Sequence, residues 1–159
     1  MMVYNARIAS TTLGATTTAI ATLIAGAARS LLLMEFDFQG RGTASADNEV
    51  GIFRVGTAGV TGSGAITPQP VDSPNMTGTT PAIVFSGTMF GTYATQPITG
   101  VLAHSIPLNA NGQRYFWRAN PSLNNAIVVP GGNSAAASVA IFPIAGTSNV
   151  SGRIQFGEL

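Results

Sequence analysis

Residues 30–39 of this 159-residue chain are Ser30-Leu31-Leu32-Leu33-Met34-Glu35-Phe36-Asp37-Phe38-Gln39. One set of alternate positions is apolar: Leu32, Met34, Phe36 and Phe38. The other set is polar: Glu35, Asp37 and Gln39. Because successive side chains of a strand point to opposite faces, the pattern predicts a half-buried antiparallel strand with the apolar set in the core.

The same period of two extends along the rest of the chain, and the period of a helix is almost absent. Further strands are predicted at residues 3–9, 18–25, 49–56, 81–86, 99–107, 113–119, 125–129, 138–144 and 148–156. Clusters of Gly, Pro, Asn and Ser separate them and favour turns. The prolines and glycines between 57 and 80 predict a long irregular connection, where a strand ladder could not continue.

Strands of this number and spacing without helices predict an all-β fold, either an antiparallel two-sheet sandwich or a closed barrel. The long connection favours a crossing, jelly-roll-like topology over a simple meander. We expect residues 1–27 to form an N-terminal arm or first strands, and residues 28–159 to form one sandwich domain. The arm is expected to add a strand to a neighbouring subunit, so that its deletion leaves a folded protein with weaker assembly.

The composition is poor in charge. Seven basic and six acidic residues give a net charge of +1, all seven basic residues are arginines, and there is no cysteine. A typical soluble domain carries roughly a quarter charged residues, so we expect much of this surface to contact protein. The arginines are spread from Arg7 to Arg153, which argues against nucleic-acid binding, and the absence of cysteine excludes disulfides and thiolate metal sites.

Residues 13–33 form the segment in which a membrane span has to be tested. Threonines, glycines and Arg29 interrupt it, so it lacks the roughly 20 apolar residues that a spanning helix needs. We therefore expect no membrane partner, and β-branched threonine and isoleucine favour an extended backbone here. A signal peptide stays an alternative, because Ala25-Gly26-Ala27 resembles a cleavage region.

No pattern indicates a catalytic site, a cofactor or a metal. His104 is the only histidine, and strand alternation places it on one face with Leu102 and Ile106. A buried or interface histidine is therefore favoured over a general base or a metal ligand, since neither a second histidine nor a nearby carboxylate accompanies it.

Three other polar segments have structural interpretations too. Glu35 and Asp37 lie roughly 7 Å apart on one strand face, which suits a carboxylate pair but is more typical of a solvated strand face. Asp47-Asn48-Glu49 lacks the spacing of a calcium loop, so a plain connection is favoured. The glycine-rich residues 56–64 lack the lysine of a phosphate-binding loop and are predicted to form a flexible tip.

Residues 114–118 are the densest aromatic and cationic cluster of the chain. Alternation places Tyr115 and Trp117 on one face, which is expected to fill the core. The other face is a candidate interface, formed by Arg114, Phe116 and Arg118. The candidate interface residues of the arm are Ile20, Leu23 and Ile24. Exposed aromatic rings beside arginine could instead bind a glycan.

Six short stretches resemble small structural proteins of tailed bacteriophages, and the resemblance covers about residues 28 to 159. In chain order they are ARSL at 28–31, GIFRVGTAG at 51–59, AITPQPVD at 65–72, RYFWRA at 114–119, AIVVPGG at 126–132 and VSGRIQFGE at 150–158. The resemblance implies a jelly-roll or tumour-necrosis-factor-like sandwich, commonly trimeric, in a head-decoration or cement protein, or in a tail or fibre. It implies no catalytic residues.

The expected function is therefore that of a non-enzymatic virion protein on the capsid surface, which stabilises or covers the shell. Its expected partners are copies of itself, as a homotrimer, and the major capsid protein or other virion proteins. Two alternatives stay open: a receptor- or glycan-binding module of a tail or fibre, and a minimal jelly-roll coat subunit.

Overall fold

The computed structural model describes residues 1–13, 19–54, 62–71, 88–93, 101–120, 125–132 and 138–159, with the backbone alone at 62–64, 88, 90–93 and 101. All regular structure in these residues is β-strand. The strands are β1 (Met2–Thr12), β2 (Ala21–Ile24), β3 (Leu31–Gly40), β4 (Asp47–Arg54), β5 (Gly62–Ala65), β6 (Gln69–Pro70), β7 (Thr88–Tyr93), β8 (Val101–Asn109), β9 (Arg114–Arg118), β10 (Ile127–Val129), β11 (Val139–Ala145) and β12 (Asn149–Glu158). The predicted all-β class is confirmed.

The strands form two antiparallel sheets of six strands each. Sheet A has the order β10-β3-β12-β1-β6, and β9 pairs with β3 beside β10. Sheet B has the order β5-β7-β2-β11-β4-β8. Since the chain passes repeatedly from one sheet to the other, the topology crosses between layers as a jelly roll does. The predicted two-sheet sandwich is confirmed.

Nine of the ten predicted strands overlap an observed one, and the predicted strand at 81–86 lies outside the described residues. The sequence missed three strands. Gly62–Ala65 and Gln69–Pro70 lie inside the connection predicted to be irregular, where glycine and proline hide a short pairing. The third missed strand is Thr88–Tyr93.

The N-terminal segment belongs to the sandwich. Strand β1 pairs with β12 from Met2 to Thr12 and with β6 on its other side, while β2 lies between β7 and β11. The expectation of an extended arm is therefore corrected, because these strands are already hydrogen-bonded inside their own chain. A boundary at residues 27 and 28 would separate strands that share one core.

A β-bulge in β3 changes which side chains of residues 30–39 face the core. Glu35 pairs with Gln155 while Leu33 pairs with Phe156, so Met34 is an extra residue in the ladder. The bulge reverses the alternation. The core therefore receives Leu31, Leu33, Phe36 and Phe38. The prediction that Leu32 and Met34 face the core is wrong.

Aromatic rings fill much of the space between the sheets. The largest fully buried side chains of this core include Tyr4, Phe36, Phe38 and Phe156. Phe36 stacks on Trp117 with 4.6 Å between ring centroids and an interplanar angle of 12°. Tyr4 stacks on Phe156 at 5.7 Å, which packs the first strand against the last. This core holds strands β1, β3, β9 and β12 in register.

Candidate interaction surface on the outer face of sheet A

The outer face of sheet A, turned away from sheet B, carries six of the 13 charged residues of the chain. Cross-strand pairing of β9, β3, β12 and β1 arranges its side chains in rows. The first row is Arg118, Glu35, Gln155 and Asn5. The second is Phe116, Asp37, Arg153 and Arg7, and the third is Arg114, Gln39 and Ser151. Residues far apart in sequence thereby become neighbours.

Glu35 is a buried carboxylate at the centre of this face. Arg118 donates hydrogen bonds to its Oε2 from Nε at 3.0 Å and from Nη2 at 2.7 Å. Arg153 donates to Oε1 of the same carboxylate. Removing a carboxylate from water is costly unless it is paired and hydrogen-bonded. The two guanidinium groups supply both conditions, so Glu35 ties β9 to β12 across β3.

Asp37 forms a second ion pair, with Arg114. The guanidinium donates from Nε to Oδ1 at 2.7 Å and from Nη2 to Oδ2 at 2.5 Å. This hydrogen bonding holds the pKa of Asp37 below its usual range, and it raises the pKa of Arg114. Both acids of the predicted carboxylate pair therefore accept hydrogen bonds from arginines, but Glu35 is buried and not solvated as the alternation predicts.

The candidate interface residues of β9 lie together on this face. Phe116 is 50% exposed, and Arg114 and Arg118 are exposed on either side of it. The Cζ atom of Arg118 lies 5.8 Å from the centroid of the Phe116 ring, within cation–π range. Tyr115 and Trp117 pack against the core, as the alternation predicts.

An apolar groove of about 720 Å³ adjoins Arg118 at the end of the face where β3 begins. Leu32 and Met34 line it together with Met1 and Ala126. Val128, exposed on β10, pairs with Leu32. The bulge at Met34 contributes to this groove, because it places Leu32 and Met34 on the outer face.

An arginine-lined groove of about 460 Å³ lies at the opposite end of the face. Four arginines line it, namely Arg7, Arg41, Arg114 and Arg153, and the one acidic residue of its lining is Asp37. Arg41 donates from Nε to Oγ of Ser151 at 2.8 Å. Sequence reasoning missed this groove, because the four arginines are widely spaced along the chain. No signal in the sequence reveals it, because the groove depends on which strands are neighbours.

The candidate interface residues of the N-terminal segment have a different environment. Ile20 and Leu23 are 2% exposed and belong to the core, and Ile24 is 8% exposed. A side chain already buried by its own chain has almost no surface left for a neighbouring subunit. The prediction that these three residues form an interface is corrected for this reason.

His104 is a half-buried residue that links the two sheets. Its Nε2 lies 2.8 Å from Oη of Tyr115, and its ring lies 5.2 Å from that of Phe36. Burial lowers the pKa of His104. Ile106 shares its face, whereas Leu102 is 47% exposed on the other face because a bulge at Ala103 shifts the register. The structural interpretation fits these contacts.

The remaining segments considered from the sequence do not converge on a site. Glu49 accepts a hydrogen bond from Oγ of Ser105 at 2.5 Å, while Asn48 is buried on the opposite face of β4. No group of three or more potential metal ligands occurs within the described residues. Of the glycine-rich stretch, residues 56–61 lie outside the described residues, and 62–64 begin β5. In the same described part, no helix has the length and apolar character to cross a membrane.

The chain was compared with protein-family models, with curated proteins and with solved structures, and no match was found. The chemistry of this face follows from its own geometry, which combines an exposed ring between two guanidinium groups, an apolar groove at one end and an arginine-lined groove at the other.

Proposed function

We propose that this protein is a structural subunit of a virus particle, a decoration or cement protein on the capsid surface that acts by assembly and without catalysis. The observation that carries the proposal is the exposed Phe116 between Arg114 and Arg118, beside an apolar groove. Aromatic residues and arginine are enriched in protein interfaces, where they dominate the binding energy. The likeness of several stretches to bacteriophage structural proteins supports the setting of a virion.

The outer face of sheet B has the complementary character. Asp47 and Glu49 lie at one end of strand β4. Beyond them Leu102 is 47% exposed beside Phe53 and Ile144, while Phe142 on the same face is buried. An acidic and apolar face of one copy can therefore receive the cationic and apolar face of the next.

Such a contact joins two different faces and is heterologous. Heterologous contacts close into rings when the rotation between copies permits, and a homotrimer is the smallest such ring. A two-fold contact of sheet A with itself would instead bring arginines against arginines, which is unfavourable. The expected partners are thus copies of this chain, and then the major capsid protein or other virion proteins that the ring covers.

Light scattering coupled to size-exclusion chromatography tests the proposal. The wild-type protein is expected to elute with about three times the 16.2 kDa mass of the chain. Phe116→Asp and Leu102→Asp should each reduce this mass to that of one chain, because each places a charge in an apolar contact. Val71→Asp is the matched control, an exposed apolar residue at the far edge of sheet A. A wild type that stays a single chain at high concentration overturns the proposal.

A receptor- or glycan-binding module of a tail or fibre is the second candidate function. The arginine-lined groove and the exposed ring of Phe116 favour it, because saccharides stack on aromatic rings and arginine binds their acidic groups. A glycan array with the purified protein separates the two candidates. A minimal coat subunit would form closed shells by itself, which electron microscopy of the isolated protein detects.

A further inference from the structure

We propose that Arg7, Arg41 and Arg153 form a binding site for an oxyanion, a sulfate or phosphate group, in the arginine-lined groove of sheet A. The site is distinct from the apolar groove, which adjoins the other end of β3. Binding there does not depend on the proposed assembly.

The pairing of Arg7 with Arg153 is the first observation. The two residues are direct cross-strand partners on the same face of β1 and β12. Side chains in such positions have Cβ atoms about 5 Å apart, and like charges directly opposite each other destabilise a sheet. A fold that keeps two arginines there gains stability when an anion lies between them.

The distribution of carboxylates is the second observation. Arg153 reaches Glu35, and Arg114 is held by both oxygens of Asp37. Arg7 forms no ion pair with any residue that the structure describes. Arg41 bonds to a neutral hydroxyl, that of Ser151. The groove therefore holds two guanidinium groups whose charge no carboxylate offsets.

The chemistry of guanidinium selects the ligand. Its planar fork of N–H donors matches the oxygens of sulfate and phosphate groups and binds them more readily than an ammonium group does. At about 460 Å³ the groove is far larger than a bare ion, so it also has room for the molecule that carries the anionic group. A free inorganic ion and a sulfated or phosphorylated sugar share this chemistry.

Thermal unfolding in sodium sulfate tests the site, with sodium chloride at equal ionic strength as the reference. At about five times the dissociation constant, sulfate should raise the midpoint by roughly 2–4 °C. Sulfate also stabilises proteins without binding them, so the comparison is between variants. Arg7→Gln should lose the increment, whereas Arg54→Gln, on sheet B, should keep it.

Arg7→Gln carries a second expectation. Without anion its midpoint should lie above that of the wild type, because the substitution removes the repulsion from Arg153. Equal responses to sulfate in Arg7→Gln and Arg54→Gln would overturn the proposal. Should Arg7→Gln not fold, NMR titration of the wild-type protein replaces the comparison. The Nε–Hε resonances of Arg7, Arg41 and Arg153 should shift saturably with sulfate. Shifts equal to that of Arg54 would refute the site.

A sulfated disaccharide, with its unsulfated form as control, identifies the source of the group. Half-saturation at a concentration at least tenfold below that of inorganic sulfate supports a group carried by a saccharide. Half-saturation at equal concentrations of the sulfated disaccharide and of inorganic sulfate supports binding of the free ion. Stabilisation by the unsulfated sugar equal to that by the sulfated one would contradict an oxyanion site.

Discussion

His104 and Asp37 make the stability of the protein depend on pH in two separate ranges. Burial lowers the pKa of His104 below 6.5, and the hydrogen bonds from Arg114 lower that of Asp37 below 3.8. In both cases the unfolded chain binds protons at a higher pH than the folded one does, so stability falls as the pH falls. We expect full stability above about pH 6.5, a first loss below it and a second loss below about pH 3.8.

Chemical unfolding measured across this pH range checks the expectation. His104→Gln should remove the first loss and leave the second, because glutamine does not titrate and Asp37 is untouched. A free energy of unfolding that stays constant from pH 7 to pH 5 in the wild type would contradict the assignment to His104.

Gly40 lies so close to the backbone of Asn109 and Ala110 that no side chain fits at this position. A Cβ atom at this position would overlap the backbone carbonyl oxygen of Asn109 and lie 2.7 Å from that of Ala110. Gly40→Ala should destabilise the protein by about 3 kcal/mol, because the end of β3 would have to move away from that backbone. Denaturant titration measures the loss.

Gly112→Ala is the control for the Gly40 substitution. Gly112 has a φ of 76° and no neighbour within 4 Å of its virtual Cβ atom. Only the backbone penalty of a left-handed conformation applies there, about 1–2 kcal/mol. A smaller loss of stability in Gly40→Ala than in Gly112→Ala would show that the backbone around Asn109 can move at little cost.

At the scale of the strands, alternation predicted where most of them lie, since period-two patterning follows from burying one sheet face. It could not predict the bulges at Met34 and Ala103, because a bulge leaves the apolar composition unchanged and reverses only the faces. The face of Phe116 was predicted correctly because β9 pairs with β3 without interruption. Leu32, Met34 and Leu102 were assigned to the wrong face, because bulges interrupt the pairing of β3 with β12 and of β4 with β8.

The β-branched threonines and isoleucines at the start of the chain predict an extended backbone, but they do not show whether it pairs within its own chain or with a neighbour. Strand β2 is buried along its whole length, so alternation between apolar and polar residues is not required there. Deleting residues 1–27 is therefore expected to abolish folding, since it removes β1 from between β12 and β6. Circular dichroism and the loss of a cooperative thermal transition would report this outcome.

Point substitutions test whether this segment belongs to the core or forms an arm, without shortening the chain. Ile20→Asp places a charge in the core and should unfold the protein, whereas Phe116→Asp should retain the folded spectrum. A cooperative transition in Ile20→Asp or in the truncated chain would restore the interpretation of this segment as an arm.

At the scale of the molecule, composition predicted a surface that contacts protein but could not predict how charge is divided over it. Arg7, Arg114, Arg118 and Arg153 have no cluster in sequence, and the pairing of β1, β12, β3 and β9 gathers them on one face. Asp47 and Glu49 belong to sheet B. This polarity was beyond sequence reasoning, because it depends on which strands are neighbours.

The difference in charge between the outer faces of the two sheets leads to a prediction about mixtures of two assembly variants. Phe116→Asp damages the sheet A face and leaves the sheet B face intact, while Leu102→Asp does the reverse. If unlike faces join, each variant alone should be a single chain, yet an equimolar mixture should contain heterodimers, because one undamaged pair of faces is available. A closed ring cannot form, since the next contact would join two damaged faces. Native mass spectrometry identifies one copy of each variant in the dimer. Leu102→Asp dimerising by itself would instead show that sheet A joins sheet A.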